Sequence, residues 1–326
     1  MNPGSAAPHN NTSRIHRRGA TLLLAVAISA CTAEGVTPVE STLPPTTSIH
    51  STTPLTTSVP TSTTTSTAPN PSSTTTTPTT CRPDPFAAPF PDVLSTRYPG
   101  KKITARVYDA RSGCMYSLNP SNRQPTASVF KVMVMAGTLL EAQEDNREVS
   151  DWELSQLTPM ITQSTNPQVR SLWSSFGSSP WFRQQTEIFE LDETTVTADG
   201  GSAWGRTLTS ASDQVDLMRQ VLLGEWGPLE AEYRNEALAL MTAVVPEQTW
   251  GVTAGVPPTW TVAQKNGFAG VTTNSVGWVD EPGTSNGYVV AILSTGWPNF
   301  TTGIPAVEFV SSSIADAMID KVAGVE

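Results

Sequence analysis

The stretch TASVFKVMVMAG, residues 126–137, continues through TLLEAQ to residue 143 as an apolar run of helix-forming residues. A helix that is apolar all round belongs in a core rather than at a surface. Between 127 and 137 only Ser128 and Lys131 break the apolar pattern. They are three positions apart, so they share a helix face one turn from each other. An unpaired lysine in such a setting is costly, so Lys131 needs partners. The pair is either the wet edge of a buried helix or a nucleophile beside its base, and the rest of the chain has to decide.

The chain has 326 residues in three compositional zones. Residues 1–30 read as an export signal, with Arg14, Arg17 and Arg18 ahead of the short apolar run GATLLLAVAISAC. That run is too short to span a membrane, which takes roughly 20 apolar residues. It ends in Ile28-Ser29-Ala30-Cys31, which resembles a bacterial lipobox. The resemblance implies lipidation of Cys31 and anchoring to the outer face of the cell membrane; ordinary signal cleavage would instead give a secreted chain. Residues 31–80 read as a stalk. Ser, Thr and Pro make up 35 of the 45 residues from 36 to 80, with Glu40 the one charge, too little apolar surface to offset the entropy of ordering.

Residues 81–326 are long enough for one large core or two packed lobes. Without the signal the chain carries 16 basic and 29 acidic residues. That acidity makes the chain a poor candidate for binding nucleic acid or anionic membrane surfaces, and no nucleic-acid partner is expected. The three histidines, His9, His16 and His50, all precede the domain. The folded part therefore has no His-based metal site and no Ser–His–Asp triad, and a nucleophilic serine there must find another base. With Cys31 assigned to the lipid, Cys81 and Cys114 remain as an even pair in an oxidising compartment, and a disulfide between them is expected.

Along the domain, KKITARVYDARSGCMYSLNP (101–120) alternates about a polar turn and predicts a hairpin, with Ile103, Ala105 and Val107 on one face. Ser150 and Glu153 make a capping box for a helix beginning DWEL. Helical patterns cover 165–190, with breaks at Gly177 and Pro180, then 209–224 and EAEYRNEALALMTAV. Three strand-like runs follow at 260–267, 274–281 and 287–296, and an amphipathic helix at 306–322 closes the chain. Strands at both ends can share one antiparallel sheet while the helices between them form a second lobe, an α+β architecture.

Three short motifs lie in order on these elements: Ser128-Val129-Phe130-Lys131, Ser164-Thr165-Asn166 and Lys265-Asn266-Gly267. Their order and context resemble the signature of class A β-lactamases and penicillin-binding proteins. The resemblance implies a β-lactamase-like fold and acylation of Ser128 by a β-lactam, a cell-wall peptide or a related amide, with no cofactor or metal. Lys131 would serve as base, aided by Lys265, and Ser164 would relay a proton to the leaving nitrogen. Asn166 would hold the substrate amide, and the N–H groups of Ser128 and Phe268 would form the oxyanion hole. Gly267 would let an edge strand approach the substrate.

The sequence also departs from that pattern. Asn266 stands where a hydroxyl would bind a substrate carboxylate, and NSVGWVDE (274–281) offers no arginine to help. The loop before the helix at 209–224 reads TVTADGGSAWGRTLT, without the glutamate that releases the acyl group in class A enzymes. Asp199 is the one carboxylate there, a candidate base or simply a turn former. Slow deacylation is the expectation. The competing reading is a module that keeps the cleft and binds a cell-wall fragment or a protein partner without turnover.

Overall fold

The computed structural model describes residues 80–197, 203–284 and 286–320. The export signal, Cys31, nearly all of the stalk and Asp199 lie outside the described residues.

A short helix α1 (Phe90–Arg97) precedes the expected hairpin, β1 (Lys102–Asp109) and β2 (Cys114–Leu118). The hairpin's register runs from Ala105 opposite Leu118 to Asp109 opposite Cys114. Its turn is held by the Asp109 carboxylate, which accepts from the Arg111 N–H at 3.1 Å and the Ser112 hydroxyl at 2.6 Å. The disulfide Cys81–Cys114, with Cα atoms 5.7 Å apart, fastens the start of the domain to this hairpin.

Next come β3 (Gln124–Pro125), a 3-10 turn at Ala127–Val129, and α2 (Phe130–Glu144). Every residue of α2 from Phe130 to Leu140 is buried. Helices α3 (Asp151–Thr162), α4 (Pro167–Ser175) and α5 (Ser179–Ile188) pack around it. The capping box opens α3 as expected: Ser150 Oγ accepts from the Glu153 N–H at 3.3 Å, and Glu153 Oε2 accepts from the Ser150 N–H at 2.8 Å. Pro180 sits in the first turn of α5, where a missing N–H costs nothing, so it starts that helix rather than breaking one.

A 3-10 turn at Trp204–Arg206 leads to β4 (Leu208–Thr209), which pairs with β3. Then α6 (Ala211–Met218) runs into a π-helical turn that ends at left-handed Gly224. Helix α7 (Ala231–Thr242) follows, then strands β5 (Thr261–Ala269), β6 (Thr272–Asp280) and β7 (Gly287–Thr295), and last α8 (Ile304–Met318).

The five long strands form one antiparallel sheet in the order β2-β1-β7-β6-β5. Strand period decides what goes where. Along β7, Val290 and Ile292 join Ile103, Ala105 and Val107 against α8, while Val289, Ala291 and Leu293 face the core built on α2 and α6. The sheet is thus covered on both faces, and each large apolar side chain so buried is worth about 1.5–3 kcal/mol. This α+β architecture places β5, an edge strand, beside the turn that carries Ser128.

Candidate active site

Ser128 sits on the 3-10 turn that opens α2, and its neighbour Ala127 is held at φ +46°. A left-handed alanine is strained, of order 1–3 kcal/mol, and persists only because its surroundings fix it. The fixing contacts are visible. Asn274 on β6 is fully buried and donates to the carbonyls of Pro125 and Thr126 at 2.9 and 3.0 Å. Gly267 on β5 meets the same turn: a Cβ there would lie 2.7 Å from the Thr126 oxygen and 2.8 Å from the Val129 nitrogen. A close approach that requires glycine at 267 is thus made to the turn that carries Ser128.

Lys131 follows one helical turn later, with no exposed surface. Its Nζ lies 3.1 Å from Ser128 Oγ, 2.6 Å from the Ser164 carbonyl oxygen, 3.2 Å from Ser164 Oγ and 2.9 Å from Asn166 Oδ1. Ser164 lies in the loop between α3 and α4 and is itself left-handed, at φ +61°. Lys265 Nζ reaches the same Ser164 Oγ at 2.9 Å and also donates to its neighbour's carbonyl, Asn266 O, at 2.9 Å. Burial pulls the Lys131 ammonium down to about 7. Lys265 is held well below the usual lysine range, first by burial and then by the charge of Lys131. The Trp204 ring, its centroid 5.1 Å from Lys131 Nζ, helps to close the lysine off from water.

This geometry suits either protonation state of Lys131. A neutral amine has two N–H donors for Ser164 O and Asn166 Oδ1, and a lone pair facing the Ser128 hydroxyl. An ammonium has a third donor for the same Ser128 oxygen. A proton can pass between Ser128 and Lys131 without the lysine moving.

Lys265 lies in the middle of β5 rather than at the end of a strand, because the ladder with β6 runs on to Ala269 opposite Thr272. Alternation then sends Lys265 and Gly267 to one face and Asn266 to the other. The Asn266 amide donates to the carbonyls of Gln248 and Trp250 at 2.7 and 3.1 Å, and its oxygen accepts from Ser275 Oγ at 2.6 Å. The Asn266 side chain is committed to these contacts, and the place where the family pattern has a carboxylate-binding hydroxyl is not filled by a hydroxyl. It ties the 246–250 segment to the sheet.

A cavity of about 270 Å3 opens directly over the serine, lined by Ser128, Asn166, Trp204, Arg206, Phe268 and Ala269 among others. Asn166 spends its oxygen on Lys131 and keeps its amide nitrogen for a ligand. Trp204 and Arg206 come from the loop ahead of β4. Their place in the cleft, like the anchoring role of Asn274, has no motif in the sequence. No aspartate or glutamate lines this cavity among the described residues. A larger cavity, about 420 Å3 between Lys101, Lys102 and Arg123, contains none of these groups, so the chemistry belongs to the smaller one. Among the described residues no three His, Cys, Asp or Glu side chains gather as a metal site.

Fold and site together define a serine hydrolase of the β-lactamase class. The chain belongs to the β-lactamase enzyme family, whose model matches residues 149–318, more than half of its length. No curated protein matches the sequence. Among solved structures, PBP-A is similar with a TM-score of 0.61 and 22% identity, covering 69% of this chain and 92% of that one. A PBP-A variant solved as an acyl-enzyme with penicillin G aligns equally well, at TM-score 0.61 and 22% identity over 69% of this chain and 93% of that one. A β-lactamase from Burkholderia phymatum gives 0.60 and 19%, over 70% and 96%. Likeness at this identity carries the fold.

Proposed function

We propose that the domain is acylated on Ser128 by a β-lactam or a cell-wall-type amide and releases the acyl group slowly. The observation that carries this reading is Lys131, buried and brought down to about 7, with its Nζ 3.1 Å from Ser128 Oγ. Neutral Lys131 takes the hydroxyl proton as Ser128 Oγ bonds to the substrate carbonyl carbon. The carbonyl electrons move onto oxygen, facing the N–H groups of Ser128 and Phe268. As the C–N bond breaks, the leaving nitrogen takes the proton of Ser164 Oγ, and Lys131, 3.2 Å away, returns one to that oxygen. The lysine ends neutral and the acyl group stays on Ser128.

Hydrolysis of that ester needs a base to activate water. The cavity's described lining supplies no carboxylate, which supports a long-lived acyl-enzyme. The intact Ser–Lys–Ser–Lys network favours chemistry over a cleft that only binds. At the level of the cell, the reading is an exported lipoprotein carried on Cys31 at the outer face of the membrane, supported by the lipobox-like sequence and the Ser/Thr/Pro stalk.

The test is intact-mass spectrometry after incubation with benzylpenicillin. A stoichiometric adduct on Ser128, absent in Ser128→Ala and decaying over minutes or longer, is expected. No adduct at any concentration rejects the acylation; many rapid turnovers of nitrocefin without a burst reject the slow release.

A further inference from the structure

The two sides of Ser128 are not equivalent. On one side stand Ser164 Oγ and Lys265, which face the departing nitrogen in the acylation proposed above, and the inference here rests on that reading. Neither of them lines the cavity over Ser128. That cavity is bounded instead by Asn166, the end of β5 and the Trp204–Arg206 turn. The part of a substrate that remains on the enzyme must therefore lie in the cavity.

Among the described residues, Arg206 is the one charged side chain on this lining. Its backbone is well rooted. The Arg206 N–H donates to Ala203 O at 2.8 Å, and the Thr126 N–H donates to Thr207 O at 2.8 Å, which ties the turn to the segment just before Ser128. The preceding Trp204 stacks on Phe130 at 6.0 Å. The side chain itself is exposed and makes no ion pair or side-chain hydrogen bond among the described residues. That contrasts with Arg82, Arg147 and Arg219, each paired with a carboxylate. In a chain with 29 acidic residues and 19 basic ones, an arginine in the cleft with no carboxylate partner among the described residues is available to a ligand. A guanidinium presents a planar fork of donors that matches a carboxylate in bidentate fashion.

We propose that Arg206 makes this cavity a subsite for an acyl group bearing a carboxylate, so that the preferred substrates carry a negative charge on the acyl side of the scissile bond. Arg206 is a specificity residue in this assignment. The proton transfers do not pass through it.

Benzylpenicillin and α-carboxybenzylpenicillin test this directly, because they differ by one carboxylate on the acyl arm. Second-order acylation rates of Ser128 are measured for both on the wild type, Arg206→Gln and Arg206→Lys, at low and high salt. The wild type is expected to favour the carboxylated compound by about three- to tenfold, the range of one partly exposed charge-assisted contact, and less so at high salt. Arg206→Gln loses the preference, and Arg206→Lys keeps only part of it. An equal ratio in the wild type, or a ratio unchanged in Arg206→Gln, overturns the assignment. If neither compound acylates the wild type, the acylation reading fails, and equilibrium binding of the same pair to Ser128→Ala decides the subsite on its own. Tighter binding of the carboxylated compound that Arg206→Gln abolishes upholds it, and equal binding overturns it.

Discussion

Lys131 and Lys265 share a single acceptor: their Nζ atoms lie 3.2 and 2.9 Å from Ser164 Oγ. Two ammonium groups on one buried hydroxyl repel each other and both lack water, so both lysines are held below the usual lysine range. Acylation needs Lys131 neutral. Its rate is expected to rise about tenfold per pH unit below about 7 and to level off above. Adduct formation with benzylpenicillin, followed by mass at a series of pH values, checks the limb. A rate flat from pH 5 to 9 removes Lys131 as the base. The same shift has a sign for stability. The unfolded lysine keeps its proton up to its ordinary value of 10.5, so the folded state gains stability as pH rises from about 7 toward that value.

Gly267→Ala puts a methyl group 2.7 Å from the Thr126 oxygen and 2.8 Å from the Val129 nitrogen. Both are backbone atoms and cannot swing away. Overpacking of this kind costs about 1–3 kcal/mol, and the displaced turn carries Ser128. Urea unfolding is expected to show that loss together with a slower acylation. Wild-type stability in the variant would mean that the strand is free to step back.

Asp213, at the start of α6, accepts from the Glu193 N–H at 3.0 Å and the Thr194 hydroxyl at 2.6 Å. Burial pushes its carboxyl up to about 6 from 3.8, outweighing the Thr194 bond. The folded state binds this proton more tightly than the unfolded chain. The site's contribution therefore falls as pH rises from about 4 to 6 and stays low above. Asp213→Asn keeps an acceptor for both donors and carries no charge. The variant is expected to exceed the wild type by roughly 1–3 kcal/mol at pH 7, with the gap closing by pH 4. Paired thermal melts across that range read it, and a constant gap contradicts the assignment.

Reduction of Cys81–Cys114 opens a link across 33 positions. A loss of roughly 3–4 kcal/mol is expected from the freed denatured chain. Denaturant midpoints with and without reductant measure it. Because the bridge joins the domain's start to β2, far along the sheet from β5, acylation of Ser128 should survive reduction below the melting temperature.

Much of this molecule is legible in its sequence because local rules and tertiary packing agree. The 101–120 hairpin, the Ser150–Glu153 box and the apolar helix behind Ser128 each obey a period or a cap that the fold then uses. The order and element context of Ser128, Lys131, Ser164 and Lys265 single them out, and the fold brings them within hydrogen-bonding reach. What escapes the sequence depends on partners distant along the chain. Helix α1 buries only Leu94 and shows no strong period. β3 and β4 are two residues each and exist only as a pair. Strand alternation turns the Asn266 side chain away from the cleft, toward carbonyls of the 246–250 segment that the residues at 260–267 do not reveal. Trp204 and Arg206 reach the cleft on a loop whose position is set by the segment ahead of Ser128.

The left-handed backbones at Ala127 and Ser164 have a practical consequence. One is clamped by β5, β6 and the Trp204–Arg206 turn, and the other belongs to the loop between α3 and α4. Neither conformation is favoured in a free chain, so the Ser128–Lys131–Ser164 arrangement exists only in molecules whose helical lobe and sheet have closed on each other. In the acylation proposed above, a covalent label on Ser128 would be a head count of native molecules, usable in a heated or denaturant-treated sample where spectroscopic signals average over the whole population.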